Sequence, residues 1–115
     1  MYLEDKDIIY DDLSTNFPLL PPIDKIMGSL GRLKILNILT IENELNVTAI
    51  SRKTGLNHTR VKIHLQELQE YDIVQEKRFG RIRIFKINVD EEGGYKIKNF
   101  LRSWNTIQSN SSIFP

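Results

Sequence analysis

Cysteine is absent from all 115 residues, which removes disulfides, thiolate metal sites and cysteine nucleophiles together. Long apolar runs are absent too; none approaches the ~18 residues of a membrane span. The opening MYLEDKDIIYDD lacks the cationic and apolar regions of a secretory signal, so a cytoplasmic protein is the expectation. No G-x-S-x-G, Walker A or H-E-x-x-H pattern occurs, and an enzyme is not expected. Proline is scarce, and three of the four residues fall in FPLLPP, where they forbid regular helix. What remains is an ordinary globular composition at single-domain length, enough to bury about two thirds of the unfolded surface.

Net charge is also nearly absent, at +1, but the balance hides an asymmetry. Residues 1–46 carry four basic and eight acidic side chains, whereas residues 47–86 carry nine basic and four acidic. A cationic middle of this kind attracts an anionic partner. The acidic pairs Asp11/Asp12 and Glu91/Glu92 fall in an arm and a turn, where solvated charge is the ordinary explanation.

Hydrophobic spacing places the elements. The first ~20 residues read as an arm whose apolar side chains pack on something. Pro22 suits a first helical position, and Ile23, Ile26, Met27, Leu30, Leu33, Leu36 and Leu39 recur at helical intervals. Gly28, Ser29 and Gly31 predict a break into two helices, with Ser29 capping the second. IENEL reads as a short polar connection. Asn46 caps a helix from Val47 to Thr54, with Ala49 and Ile50 inward, and Gly55 ends it. Asn57 caps the next helix, which buries Val61, Leu65 and Leu68.

After Asp72 the period changes to that of an antiparallel hairpin turning at Arg78, Phe79 and Gly80. A last amphipathic helix presents Ile97, Phe100, Leu101, Trp104 and Ile107. The order is four helices, a hairpin and a helix. Two short helices joined by a glycine turn form a helix-turn-helix. The second then has a free, polar, basic end that fits the ~12 Å major groove of DNA.

Residues 45–87, LNVTAISRKTGLNHTRVKIHLQELQEYDIVQEKRFGRIRIFKI, resemble the winged helix-turn-helix of bacterial and archaeal transcription regulators. Residues 27–39, MGSLGRLKILNIL, are similar to the preceding segment of ArsR-type regulators. The resemblance implies a mainly α fold with a small β-hairpin, binding double-stranded DNA as a homodimer. It makes Asn57 the cap of a recognition helix over 57–70, and His58, Thr59, Arg60, Lys62 and Ile63 its groove-facing residues, with Gln66 at the edge. The wing, 73–87, carries Lys77, Arg78, Arg81 and Arg83, with Lys86 nearer its base. Arg52 and Lys53 are further phosphate contacts.

Ile63 departs from the charged or amide residue common at its position; it either meets a thymine methyl or turns inward. The cysteine pairs and carboxylate–histidine clusters of ArsR-type metal sensors are missing, so metal sensing is not implied and no cofactor is expected. His58 and His64 are six residues apart and make a poor metal pair; His64 is expected to pack or hydrogen-bond within the domain.

Phe100 and Trp104 are large for a terminal helix, which suggests a dimer interface with Ile97, Leu101 and Ile107. The expected organisation is an arm at 1–21, the DNA-binding domain at 22–90, a dimerisation helix at 91–108 and a tail at 109–115. The competing reading is a winged helix that docks a protein within a transcription or replication assembly. RNA binding ranks lower, since Phe79 alone offers an obvious stacking surface. Sixteen isoleucines and no cysteine would suit an archaeal or archaeal-virus source.

Overall fold

A computed structural model describes residues 20–113, with side chains through residue 109. Most of the expected arm, residues 1–19, lies outside the described residues. The chain forms α1 (Ile23–Met27), α2 (Leu30–Glu42), α3 (Val47–Thr54), α4 (His58–Glu70), β1 (Val74–Phe79), β2 (Ile82–Ile87) and α5 (Glu92–Ile113). This is a winged helix-turn-helix, mainly α with one two-stranded antiparallel hairpin. No described helix is long and apolar enough to cross a membrane.

The break between α1 and α2 falls where the glycines and Ser29 place it. Ser29 Oγ accepts from the Arg32 N–H at 3.3 Å, satisfying a donor that the first helical turn leaves unpaired. Pro22 stands one residue before α1, at its cap, instead of inside its first turn. The break also resets the helical phase. Ile23 and Leu30, members of the stripe inferred from spacing, are exposed, and Ile35, outside that stripe, is fully buried beside Leu36 and Leu39.

One core joins all the elements: Ile26 of α1, the buried leucines of α2, Ile50 of α3, Val61, Leu65 and Leu68 of α4, Phe85 and Ile87 of β2, and Ile97 and Leu101 of α5. Each such side chain, once buried, contributes roughly 1.5–3 kcal/mol. Two boundaries differ from the sequence expectation. Helix α2 continues through Glu42 and ends at Asn43, whose φ of 73° and ψ of −64° turn the chain, with Glu44 N–H donating to Glu42 O at 3.0 Å as in a γ-turn. Helix α5 runs to Ile113, past residue 108, so the expected tail begins inside the helix.

The IENEL segment also does more than connect. Leu45 forms an antiparallel bridge with Phe85, through Leu45 N–H to Phe85 O at 3.1 Å and Phe85 N–H to Leu45 O at 2.8 Å. This one-residue bridge fastens the hairpin to the start of the helix-turn-helix.

Candidate nucleic-acid interface

The turn between α3 and α4 is fixed by short-range hydrogen bonds. Asn46 Oδ1 accepts from Ala49 N–H at 2.8 Å, which starts α3. Gly55, at φ 79°, donates its N–H to Ser51 O and stops the helix in a left-handed conformation that a side chain would disfavour. The Thr54 hydroxyl donates to Ile50 O at 2.7 Å, and accepts from Leu56 N–H at 3.3 Å. Asn57 Oδ1 then accepts from Arg60 N–H at 2.9 Å and opens α4, as its position in the sequence implied.

Burial of Val61, Leu65 and Leu68 sets the roll of α4. At 3.6 residues per turn, Thr59, Lys62, Ile63 and Gln66 then point away from the core, and all four are exposed. Ile63 therefore faces outward, which resolves the two orientations open to it. His58 and Lys62 lie on the flank toward the wing, whereas Arg60 shares the opposite flank with His64 and Glu67.

That second flank is anchored by Arg32, a buried arginine for which the sequence reading had no role. Its Nε donates to His64 Nδ1 at 3.2 Å, one guanidinium nitrogen to Lys25 O at 2.6 Å and the other to the Glu67 carboxylate. His64 is thus a structural residue, as expected. Burial, reinforced by the charges of Arg32 and Arg60 and opposed by Glu67, lowers its pKa. A Cβ on Gly31 would lie 2.8 Å from His64 Nε2, so the ring occupies space that only glycine leaves.

The hairpin pairs Arg78 with Arg83 and Phe79 with Ile82 across a two-residue turn, in which Gly80 adopts φ 63°. His58 and Lys62 of α4, the first residues of α3 and Arg81–Arg83 of the wing line one open concavity of about 380 Å³. A second, of about 240 Å³, continues along α4 past Gln66 to Arg83 and Phe85. Recognition helix and wing therefore face the same side.

The cations within this surface are not equivalent. Glu76 accepts from Arg83 Nε at 2.5 Å and from Arg78 Nε at 3.0 Å, and Arg83 also lies 5.4 Å over the Phe85 ring. The Arg83 hydrogen bond is the main reason that the Glu76 pKa falls to about 2. Lys77 pairs with Glu44 at 3.2 Å, and Lys53 with Glu42 at 3.6 Å. Among the described residues, Arg52, Arg60, Lys62 and Arg81 have no carboxylate within ion-pair distance. The sequence reading treated all these cations alike and missed Glu76. The hairpin register held the signal: with a two-residue turn at Gly80 and Arg81, Glu76 shares a face with Arg78 and sits diagonal to Arg83.

The last helix divides the residues expected at a dimer interface. Ile97 and Leu101 are only 7% and 5% exposed because they close the chain's own core, while Phe100 and Trp104 are 54% and 60% exposed. Phe100 and Trp104 form one side of an apolar groove of about 390 Å³, facing Leu30 and Leu33. Among the described residues, no three His, Asp or Glu side chains gather where they could hold a metal ion.

Residues 29–76 match the model of bacterial regulatory proteins of the arsR family. The transcriptional regulator HlyU of Vibrio vulnificus superposes with a TM-score of 0.63 at 20% identity, over 93% of this chain and 98% of that one. The repressor BigR of Xylella fastidiosa gives 0.60 at 21%, over 93% and 96%. The repressor PagR of Bacillus anthracis gives 0.58 at 28%, over 70% and 85%. No curated protein matches the chain significantly by sequence.

Proposed function

From a winged helix-turn-helix whose residues 29–76 match the arsR family of regulatory proteins, we propose a transcription regulator that binds double-stranded DNA sequence-specifically as a homodimer. The observation that carries this reading is the shared concavity in which His58 and Lys62 of α4 meet Arg81 and Arg83 of the wing. A duplex seated there receives the N-terminal half of α4 in its major groove. Thr59, Arg60 and Lys62 reach base edges, with His58 and Gln66 beside them and Ile63 available to a thymine methyl. Arg52 and Arg81 meet phosphates directly, while Lys53, Lys77, Arg78 and Arg83 do so by exchanging their carboxylate partners.

Phosphate contacts position the protein, and base contacts specify the sequence. In the dimer, the exposed Phe100, Trp104 and Ile107 of α5 meet their counterparts. The two recognition helices then stand about 34–36 Å apart on a palindromic site.

The test is duplex binding measured on a selected site and on unrelated sequence, at two salt concentrations. Arg60→Ala should cost roughly 1–3 kcal/mol on the preferred site and relax sequence choice, whereas Arg81→Ala should weaken all sequences alike and reduce the salt slope by about one. Equal losses on every sequence for both variants would break this division of labour. Absence of salt-dependent duplex binding by the native chain would defeat the reading and favour a protein-docking winged helix.

A further inference from the structure

The tip of the wing carries two large apolar side chains that no described residue covers. Phe79 and Ile82 are direct cross-strand partners, so they project from the same face of the hairpin, and they are 59% and 56% exposed. An exposed Phe–Ile pair at a hairpin tip is a poor arrangement for water and a local aggregation hazard. Its charged surroundings identify the occupant. Arg78 precedes the pair, Arg81 lies in the turn between its two members, and Arg81 has no carboxylate within ion-pair distance among the described residues. Ile82 lines the same concavity as His58 and Lys62, which puts one member of the pair at the edge of the surface proposed to receive the duplex, while the pair projects from the hairpin face opposite Arg78 and Arg83.

We propose that Phe79 and Ile82 form an apolar wedge that enters the DNA minor groove beside the recognition site and partly unstacks a base step, with Arg81 held on the adjoining phosphates. The inference rests on the DNA-binding reading above and adds a second source of specificity to it. Apolar side chains inserted in this way kink the duplex by about 20–90° toward the major groove. The energy needed depends on the step, being smallest for flexible pyrimidine–purine steps such as TA and CA/TG. The wing therefore selects sequence by deformability at a position flanking the bases that α4 reads, without hydrogen-bonding any base there.

The experiment uses the full chain and a fluorophore pair at the ends of a duplex that contains the selected site, with the flanking step varied between TA and a stiff A-tract step. The native protein should bend the TA duplex and bind it about tenfold more tightly than the A-tract duplex. Phe79→Ser with Ile82→Ser should abolish both the bend and the preference, and Phe79→Leu should restore most of each. The side chains are exposed, so thermal unfolding of these variants should match the native chain. If the native protein binds the site with Arg60-dependent specificity but the serine variant bends and discriminates equally well, the wedge is refuted while DNA reading stands. If the native protein binds no duplex, both fail.

Discussion

Helix α4 and the hairpin beside it hold their charged side chains in different ways. On α4 the core-facing residues and the contacts of Arg32 with His64 and Glu67 fix the element, and the side chains of the outward residues Thr59, Lys62, Ile63 and Gln66 make no hydrogen bond or ion pair among the described residues. On the hairpin, Glu76 engages Arg78 and Arg83, and Glu44 engages Lys77. A cation that must leave a carboxylate for a phosphate gains less than one coming from water, because an ion pair is lost as another forms. On the proposed reading the helix thus offers contacts ready for use, while the wing tempers its own attraction to nucleic acid. Restrained phosphate affinity favours discrimination, since non-specific binding comes almost wholly from phosphate contacts.

The largest effect should come from loosening what holds the helix. Leu65 is 1% exposed between α4 and the rest of the core, and Leu65→Ala should destabilise the protein by roughly 2–5 kcal/mol. Phe79→Ala at the wing tip should change stability by less than about 0.5 kcal/mol. Urea unfolding of the two variants gives the comparison directly. Comparable losses would mean that the wing tip packs on the chain after all, and the contrast between an anchored helix and an uncovered tip would be lost.

A smaller change sharpens the electrostatic side of the contrast. Glu76→Gln keeps the shape of the side chain and removes the charge that restrains Arg78 and Arg83. Binding to unrelated duplex should strengthen by up to about tenfold, and the slope of log K against log salt should steepen by up to about two as further phosphates are neutralised. The preference for the selected site over unrelated DNA should shrink accordingly. An unchanged salt slope would show that the wing arginines already reach phosphates while bound to Glu76.

Most of the fold could be read from the sequence because its cues are local. Asn46, Gly55 and Asn57 act within one turn of where they stand, and Ser29 resets the phase of the first helices with a single hydrogen bond. Position Leu45 could not be read in this way: its bridge to Phe85 joins residues far apart in the chain, and a lone leucine in a polar connection carries no periodicity. The same distance hid Arg32, which binds α4 from a helix two elements earlier. On the candidate surface, charge clustering and the family resemblance picked out the basic residues, but gave no sign of which of them pair with carboxylates. Glu42 and Glu44 belong to the acidic first part of the chain, yet they fold against Lys53 and Lys77. The apolar face of α5 likewise shows a stripe in sequence, while its division into buried Ile97 and Leu101 and exposed Phe100 and Trp104 follows only from how the helix lies on α2.

The smallest expected effect separates the two elements by pH. His64 has its pKa lowered, first by burial and then by Arg32 and Arg60, against the opposing charge of Glu67. In the unfolded chain an ordinary histidine protonates near pH 6.5, so below that value the unfolded state takes up protons that the folded state resists. Stability attached to this group is present above about pH 6.5 and is lost as pH falls through the lower folded value. Protonation would also remove the Nδ1 acceptor that Arg32 uses. Glu76 behaves differently: with its pKa held near 2, its contribution is present above the ordinary glutamate value of about 4.3 and fades only under stronger acid. Between pH 7.5 and 5 the helix anchor should therefore respond while the wing pairs do not. His64→Gln supplies a side-chain oxygen for Arg32 but cannot titrate, so its melting temperature should fall less than that of the native protein over this range. An equal fall would assign the acid sensitivity to another group and leave the anchor of α4 as indifferent to pH as the wing.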